Sequence, residues 1–305
     1  MSVVVPSRGG ATRLPVLMNA LAGQEGDISW EVVVVLDGDI DGSRAVLDQF
    51  LRRAPLTVVE LSENQGRSAA LNAGFHHSGG SVLIRCDDDL VPTPDFIARH
   101  AAHHNSDAVG VVGLYRNVFP DTVYARVYGR AWDEDFRREA YAAPAHRTWR
   151  YWAGNCSLTR ATWDSIGPYD TGFRAYGYED VDFGYRVASL GVPIVLDRQL
   201  ETEHRIAATT TSTRAQRAFY SGAARRRFES KHGLTPPDPV TRTAWDRAVA
   251  ALARRLDERR TQTFGSVVDA SARVLPARAG RKAVAMLVEA AARAGHASGQ
   301  TQGDI

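Results

Sequence analysis

Four short apolar runs mark the first third of the chain: Ser2–Val5, Glu31–Leu36 (EVVVVL), Leu56–Leu61 (LTVVEL) and Ser81–Arg85 (SVLIR). Runs this short, rich in β-branched residues and lacking polar alternation, predict strands covered on both faces, as in a parallel sheet. Between them LPVLMNALAG, SRAVLDQFLRRA and SAALNAGFHH carry apolar positions at helical spacing. Alternating strands and helices predict right-handed βαβ units and an open α/β sheet. Ligands of such sheets bind beyond the carboxyl ends of the strands, near the switch in strand order. From Trp149 to Glu203 aromatics mix with glycines and acids, and Thr213–His232 reads as a basic helix. TPPDP at Thr235–Pro239 is a rigid break. Beyond it WDRAVAALARRLDERR predicts an amphipathic helix with Trp245, Val249, Leu252 and Leu256 on one face, and GRKAVAMLVEAAARAG predicts another. The last residues, ASGQTQGDI, read as a disordered tail.

Composition narrows this picture only a little. A hydrophobic share of 44% with 24% charged residues fits a globular chain, and the net charge of +2 gives no electrostatic argument for nucleic acid. Two cysteines, Cys86 and Cys156, are too few for a disulfide framework and suit a reducing compartment. The opening MSVVVPSRGG reads as strand and turn rather than a secretory leader, and no run is long and apolar enough to cross a bilayer. A cytoplasmic protein is expected, with contact at a membrane surface left open.

The strand ends carry the candidate chemistry. They read Pro6-Ser7-Arg8-Gly9-Gly10, Asp37-Gly38-Asp39, Glu63-Asn64-Gln65-Gly66-Arg67 and Asp87-Asp88-Asp89. Loops of Gly, Asp and Arg opening on one sheet edge have the makeup of a nucleotide site. Three adjacent aspartates repel, and burying one unpaired costs several kcal/mol. A solvated turn with helix-capping acids would explain them, but Thr93 and Asp95 already stand where caps are needed. Carboxylates at a strand end suit Mg²⁺ or Mn²⁺, hard cations that bridge to phosphates.

A second constellation, RAYGYEDVDFGYRVASLG, sets Glu179, Asp180 and Asp182 at the start of a helix. Acids there are stabilised by the helix dipole, which alone could account for Glu179. A carboxylate placed against a bound sugar could instead act as a general base. His204 lies well downstream, where most histidines are ordinary packed or surface residues. It gains weight because a divalent ion held by carboxylates often takes one imidazole. Of the aromatics between Trp132 and Tyr185 most belong to a core; Trp152 and Tyr176, near Gly154 and Gly177, are the candidates for stacking on a sugar.

Together these motifs resemble family 2 glycosyltransferases of the A-type fold, over roughly Val3 to His232. VVVPSRGGATRLPVLMNAL, EVVVVLDGDIDGS, NQGRSAALNAGF and CDDDLVPTPDF match the family's order of strand, base-binding, phosphate-side and metal motifs. YWAGNCSLTRATWDSIGPYDTGFRAYGYEDVDFGYRV is similar to the carboxyl-terminal segment of β-1,4-galactosyltransferases. The resemblance implies a single Rossmann-like domain with a mostly parallel sheet and a C-terminal helical extension. It divides the chain into a catalytic domain, 1–234, a helical extension, 240–296, and a tail, 297–305; 1–110 would take the donor and 111–234 the acceptor. It places Pro6, Ser7, Arg8, Asp37, Gly66, Arg67, Asp87 and Asp88 around the donor nucleotide. Asp89, His204 and Asp87 would hold Mn²⁺ or Mg²⁺. Asp180 would be the base with Glu179 beside it, and Trp152, Tyr176 and Gly177 would face the acceptor.

The reaction implied by the resemblance is transfer of a sugar, with inversion, from a nucleotide sugar, a UDP-sugar above all, to a hydroxyl of a glycan, lipid-linked or small-molecule acceptor. A sugar nucleotidyltransferase is the alternative within enzymes, since SRGGATR partly imitates the basic glycine-rich opening of that class. A non-catalytic sugar-binding module would have no use for Asp180. For the C-terminal helices, packing on the domain or on a second copy as a homodimer is expected ahead of a peripheral membrane contact, because Asp246, Asp257 and Glu258 dilute their basic face.

Overall fold

The computed structural model describes residues 1–105, 108–174, 176–234 and 243–298. The predicted break at Thr235–Pro239 and all of the predicted tail beyond Ser298 lie outside them. Two compact units are formed: residues 1–118, 137–174 and 179–206 make the first; residues 119–136, 175–178 and 207–305 make the second.

In the first unit the chain runs β1 (Ser2–Ser7), α1 (Leu14–Ala22), β2 (Glu31–Asp37), α2 (Ser43–Asp48), β3 (Leu56–Leu61), α3 (Arg67–His77) and β4 (Val82–Cys86). Then come β5 (Leu90–Val91), α4 (Phe96–Ala102), β6 (Gly110–Val112) and β7 (Tyr115–Asn117); α5 (Arg130–Tyr141) begins in the second unit and ends in the first. β8 (Asn155–Thr159), α6 (Arg160–Ile166), α7 (Glu179–Ser189), β9 (Ile194–Leu196) and β10 (Thr202–His204) complete it. The seven-stranded sheet has the order β3-β2-β1-β4-β8-β6-β9 and is mostly parallel, with β8 antiparallel to both neighbours. A small second sheet, β5-β10-β7, stands apart from it.

The uninterrupted apolar runs do what their composition predicts. Val3, Val5, Val32 and Val34 enter one core with Leu14, Leu17 and Leu21 of α1. The alternate residues Val4, Val33 and Val35 enter another with Ala70, Leu71 and Phe75 of α3. Each strand is therefore buried on both faces. Gly74 lets α3 settle on this sheet: a Cβ there would lie 2.3 Å from Val4 Cγ1. The helix predicted over Ser43–Ala54 stops at Asp48 and gives way to turns that run to Arg53, ahead of Pro55.

The second unit is helical: α8 (Thr211–Lys231), α9 (Ala244–Ala253), α10 (Glu258–Ser271) and α11 (Ala277–Ser298). The amphipathic helix predicted through WDRAVAALARRLDERR is two helices, because the Asp257 side chain accepts from Arg260 N and caps a new start. Its apolar stripe is covered. Val249 is buried, and Trp245, Leu252 and Leu256 pack with Phe219, Val284 and Leu287. The helices approach through small residues: a Cβ on Gly222 would meet Ala292 O at 2.0 Å, and one on Gly295 would meet Phe219 O at 1.9 Å.

Candidate active site

Parallel pairing aligns β1, β2 and β4, so their carboxyl ends open together, and β8 runs back along β4. The acids and arginines gathered there, and His204, belong to the first unit. The three aspartates after β4 each have a different partner.

Asp88 turns back toward β1. It accepts from Ser7 Oγ, and Arg13 forks onto it, with Nε 3.0 Å from Oδ1 and Nη2 2.8 Å from Oδ2. Burial pushes its carboxyl up, against the pull of Arg13 and Ser7. Gly10 makes the approach feasible, since a Cβ there would sit 2.1 Å from Ser7 Oγ. Asp88 and Ser7 are thus spent on each other. Arg13, which no sequence motif singles out, neutralises the middle charge of the triplet.

Asp87 meets Arg85, whose side chain is fully buried. Nε lies 2.9 Å from Oδ1, while Nη1 reaches Asp180 Oδ1 at the start of α7. Burial would raise Asp87, but Arg85 and then Arg67 hold it below the usual carboxylate range. For Asp180 burial prevails: it pushes the carboxyl up against Arg85, with Glu179 and Asp87 adding to the rise. One buried guanidinium therefore ties the metal-motif acid to the candidate base. Gly154 closes over Asp87, where a Cβ would come within 2.2 Å of its Cγ, and Asp87 N donates to Gly154 O.

Glu179 pairs with Arg67, Nη1 to Oε1 at 2.8 Å. Its second oxygen, Oε2, is buried without a hydrogen-bond partner. Asp182, by contrast, is bound to Arg186 one turn along α7 and serves that helix.

Asp89 faces His204. Oδ2 and Nε2 are 3.0 Å apart, and Nδ1 is bonded to Asn117 Oδ1 at 2.6 Å. The small sheet sets this pair: β10 carries His204 between β5, just after Asp89, and β7, which carries Asn117, while the Tyr115 ring stacks on the imidazole. An amide oxygen can only accept, so Nδ1 is the donor there and the Nε2 side is aimed at the carboxylate. Two adjacent ligands of one divalent ion, each about 2.1 Å from it, would also stand roughly 3 Å apart. Asp89 and His204 therefore fit a hard cation as a pair, with Asn117 orienting the imidazole as outer-shell partners do. Asp87 is turned to Arg85, and among the described residues no three His, Cys, Asp or Glu converge on one point.

The remaining candidates divide. Pro6 is buried, and Arg8, exposed, reaches the Asp37 carbonyl at 3.3 Å. Asp37 is buried, and its two oxygens accept from Gln65 N and Gly66 N at 2.6 and 2.9 Å. It thereby holds the loop in which Gly66, at φ +90°, turns Arg67 into α3. Its two oxygens thus each serve this loop. Trp152 corrects the expectation of an acceptor platform. It is 2% exposed, with Nε1 donating to Tyr169 Oη and its ring against Phe183, so no sugar can lie on it. Tyr176 and Gly177 belong to the second unit, where Arg217 lies over the exposed Tyr176 ring and Gly177 packs on Ser221.

This arrangement has known counterparts. Residues 2–173 match Glycosyl transferase family 2, and the chain belongs to that family. It is 25% identical over 255 residues to the uncharacterized glycosyltransferase YfnE of Bacillus subtilis (strain 168), covering 67% of this chain and 64% of that one. The chain spans between half and two thirds of the length of the first curated relatives it matches. Among solved structures, the mannosyltransferase PcManGT from Pyrobaculum calidifontis, in complex with GDP-Man and Mn²⁺, superposes with a TM-score of 0.62 at 19% identity over 96% of this chain and 86% of its own. S. aureus TarS 1-349 in complex with UDP gives 0.54 at 16% identity over 94% and 89%. The fold is the A-type glycosyltransferase fold.

Proposed function

We propose that the chain transfers a sugar from a nucleotide sugar to an acceptor hydroxyl, with inversion and with the help of a divalent ion. The observation that carries the reading is the link Asp87–Arg85–Asp180: it joins the acid motif at the end of β4 to the acid that heads α7. The donor nucleotide would lie over the carboxyl ends of β1 and β2, its diphosphate near Asp87 and Arg67. UDP is the preferred nucleotide, as the sequence resemblance implies.

Asp180, its proton affinity raised by burial, takes the acceptor proton while the acceptor oxygen bonds to the anomeric carbon. The bond from that carbon to the diphosphate oxygen breaks in the same displacement, and its electron pair leaves with the nucleoside diphosphate. Arg67 meets part of the charge that develops on the leaving group. Glu179, buried beside Asp180, holds Arg67 in place for this. Mn²⁺ or Mg²⁺, held by Asp89 and His204, would supply the remaining neutralisation of the departing diphosphate. Residues 1–110 serve the donor and 111–234 the acceptor in this reading, and the galactosyltransferase-like segment contributes the base. A cytoplasmic setting, where nucleotide sugars are made, is part of it.

Incubation with a panel of UDP- and GDP-sugars, Mn²⁺ and simple glycan acceptors tests the assignment. Nucleoside diphosphate should be released, and Asp180→Asn should release almost none. Pyrophosphate formed from a nucleoside triphosphate and a sugar phosphate would instead identify a nucleotidyltransferase.

A further inference from the structure

The stripe that the sequence offers to a membrane, Trp245 to Leu256, is packed inside the second unit. A different face is open. Along α10 and the turn after it, Phe264, Val267, Val274 and Leu275 are exposed, Val274 by 85% and Val267 by 57%. Their spacing of three, seven and one residues brings them onto one side of the helix, which continues as turns through Val274 N and Leu275 N bonded to Ser271 O. The opposite side faces inward: a Cβ on Gly265 would lie 2.3 Å from Ser212 Cα, and Thr261 and Ala272 are buried. Four neighbouring large apolar side chains in water are unusual for a surface helix and mark a surface that meets something.

Charge decides what. From Arg254 to Lys282 the chain carries eight basic residues and three acidic ones. The three acids are engaged within the unit. Asp257 caps Arg260 N, Glu258 accepts from Tyr220 Oη, and Asp269 accepts from Thr211 N. Arg260, exposed one turn before Phe264, falls on the apolar side by helical spacing, and Arg278, also exposed, follows Leu275 in the first turn of α11. A second copy docked by a two-fold axis would bring these like charges together. An anionic lipid surface accepts both features, with apolar side chains entering the interface and arginines meeting headgroups.

We infer that this face of α10 is a peripheral binding surface for anionic membranes. The inference stands on the second unit alone and does not depend on the transfer chemistry. Cosedimentation of the full chain with vesicles of phosphatidylcholine containing about one-third phosphatidylglycerol, against pure phosphatidylcholine, tests it. Binding to the anionic vesicles should be at least about tenfold tighter and weaken as salt is raised. Val267→Ser with Val274→Ser, and separately Arg260→Gln with Arg278→Gln, should each weaken it about tenfold with unchanged thermal melting, since all four side chains lie on the surface. Equal binding to both vesicle types, or variants that bind like the parent, would overturn the inference. So would sedimentation showing a dimer that Val274→Ser dissociates, which would assign the face to a second copy.

Discussion

The two units place charge differently: the first buries several ion pairs beside its two apolar cores, and the second buries few. In the first, charge is buried wherever chemistry is expected. Arg85 is enclosed between Asp87 and Asp180, Asp88 between Ser7 and Arg13, and Glu179 lies under Arg67. In the second, α8 and α11 meet through Gly222 and Gly295, the ion pair Arg281–Asp135 lies at the surface, and Glu229 is a buried acid that pairs with Arg225 and His296. Buried ion pairs are a poor source of net stability, whereas close apolar packing is a good one. Their concentration in the first unit therefore marks a site that tolerates the cost for function, while the second unit reads as scaffold and surface.

Substitutions can break this contrast at several points. The largest effect is expected from Asp180→Asn, which should lower turnover by about 10²- to 10⁴-fold, the range for a lost general base, with donor affinity nearly unchanged. An equal loss of donor affinity in titration calorimetry would move Asp180 into the donor site. Next comes Arg85→Met. It strands two acids without their cation and should destabilise the first unit by about 3–5 kcal/mol in urea unfolding; a change near zero would mean that the pair is not buried in solution.

Acid should find the first unit before the second. Burial holds His100 down to about 3 and His104 down to about 4; His100 lies between Ser157 and Asn155, with the charges of His104, His103 and Asp197 also acting on it. The unfolded chain takes up these protons near 6.5, so the contribution of the neutral pair is complete above that pH and is lost as pH falls toward 4. For His100 the loss is about 1.4 kcal/mol per pH unit. Unfolding measured at pH 7 and about pH 4.5 should show a fall with pH in the parent chain that His100→Gln makes shallower by about this amount.

In the second unit, Gly222→Ala should cost about 2 kcal/mol: the clash with Ala292 O outweighs the roughly 1 kcal/mol that alanine gains in a helix. The smallest effect belongs to Val274→Ser, which should leave stability within about 0.5 kcal/mol.

Much of the first unit was legible in the sequence because its signals are local. Valine runs mark strands, Gly66 marks a turn, and an acid triplet at a strand end stands out against a simple β pattern. What could not be read is long-range. Nothing near Arg85 in sequence announces Asp180, and nothing near Ser7 announces Asp88; the second contact is decided by the parallel pairing of β1 with β4. Trp152 misled for the same reason, since a tryptophan beside glycines looks available until Phe183 and Tyr169 are seen to cover it. Asn117 left no signal at all, because its role arises only where β7 and β10 pair.

The central claim is that Asp89 and His204 join a divalent ion to a nucleoside diphosphate. Titration calorimetry of UDP and GDP into the folded chain, with and without Mn²⁺, measures it directly. One of the two should bind at least about tenfold more tightly with Mn²⁺, and Asp89→Asn and His204→Ala should each abolish that gain while leaving the melting temperature within a few degrees. Affinity indifferent to Mn²⁺, or a gain that survives both substitutions, would contradict the account.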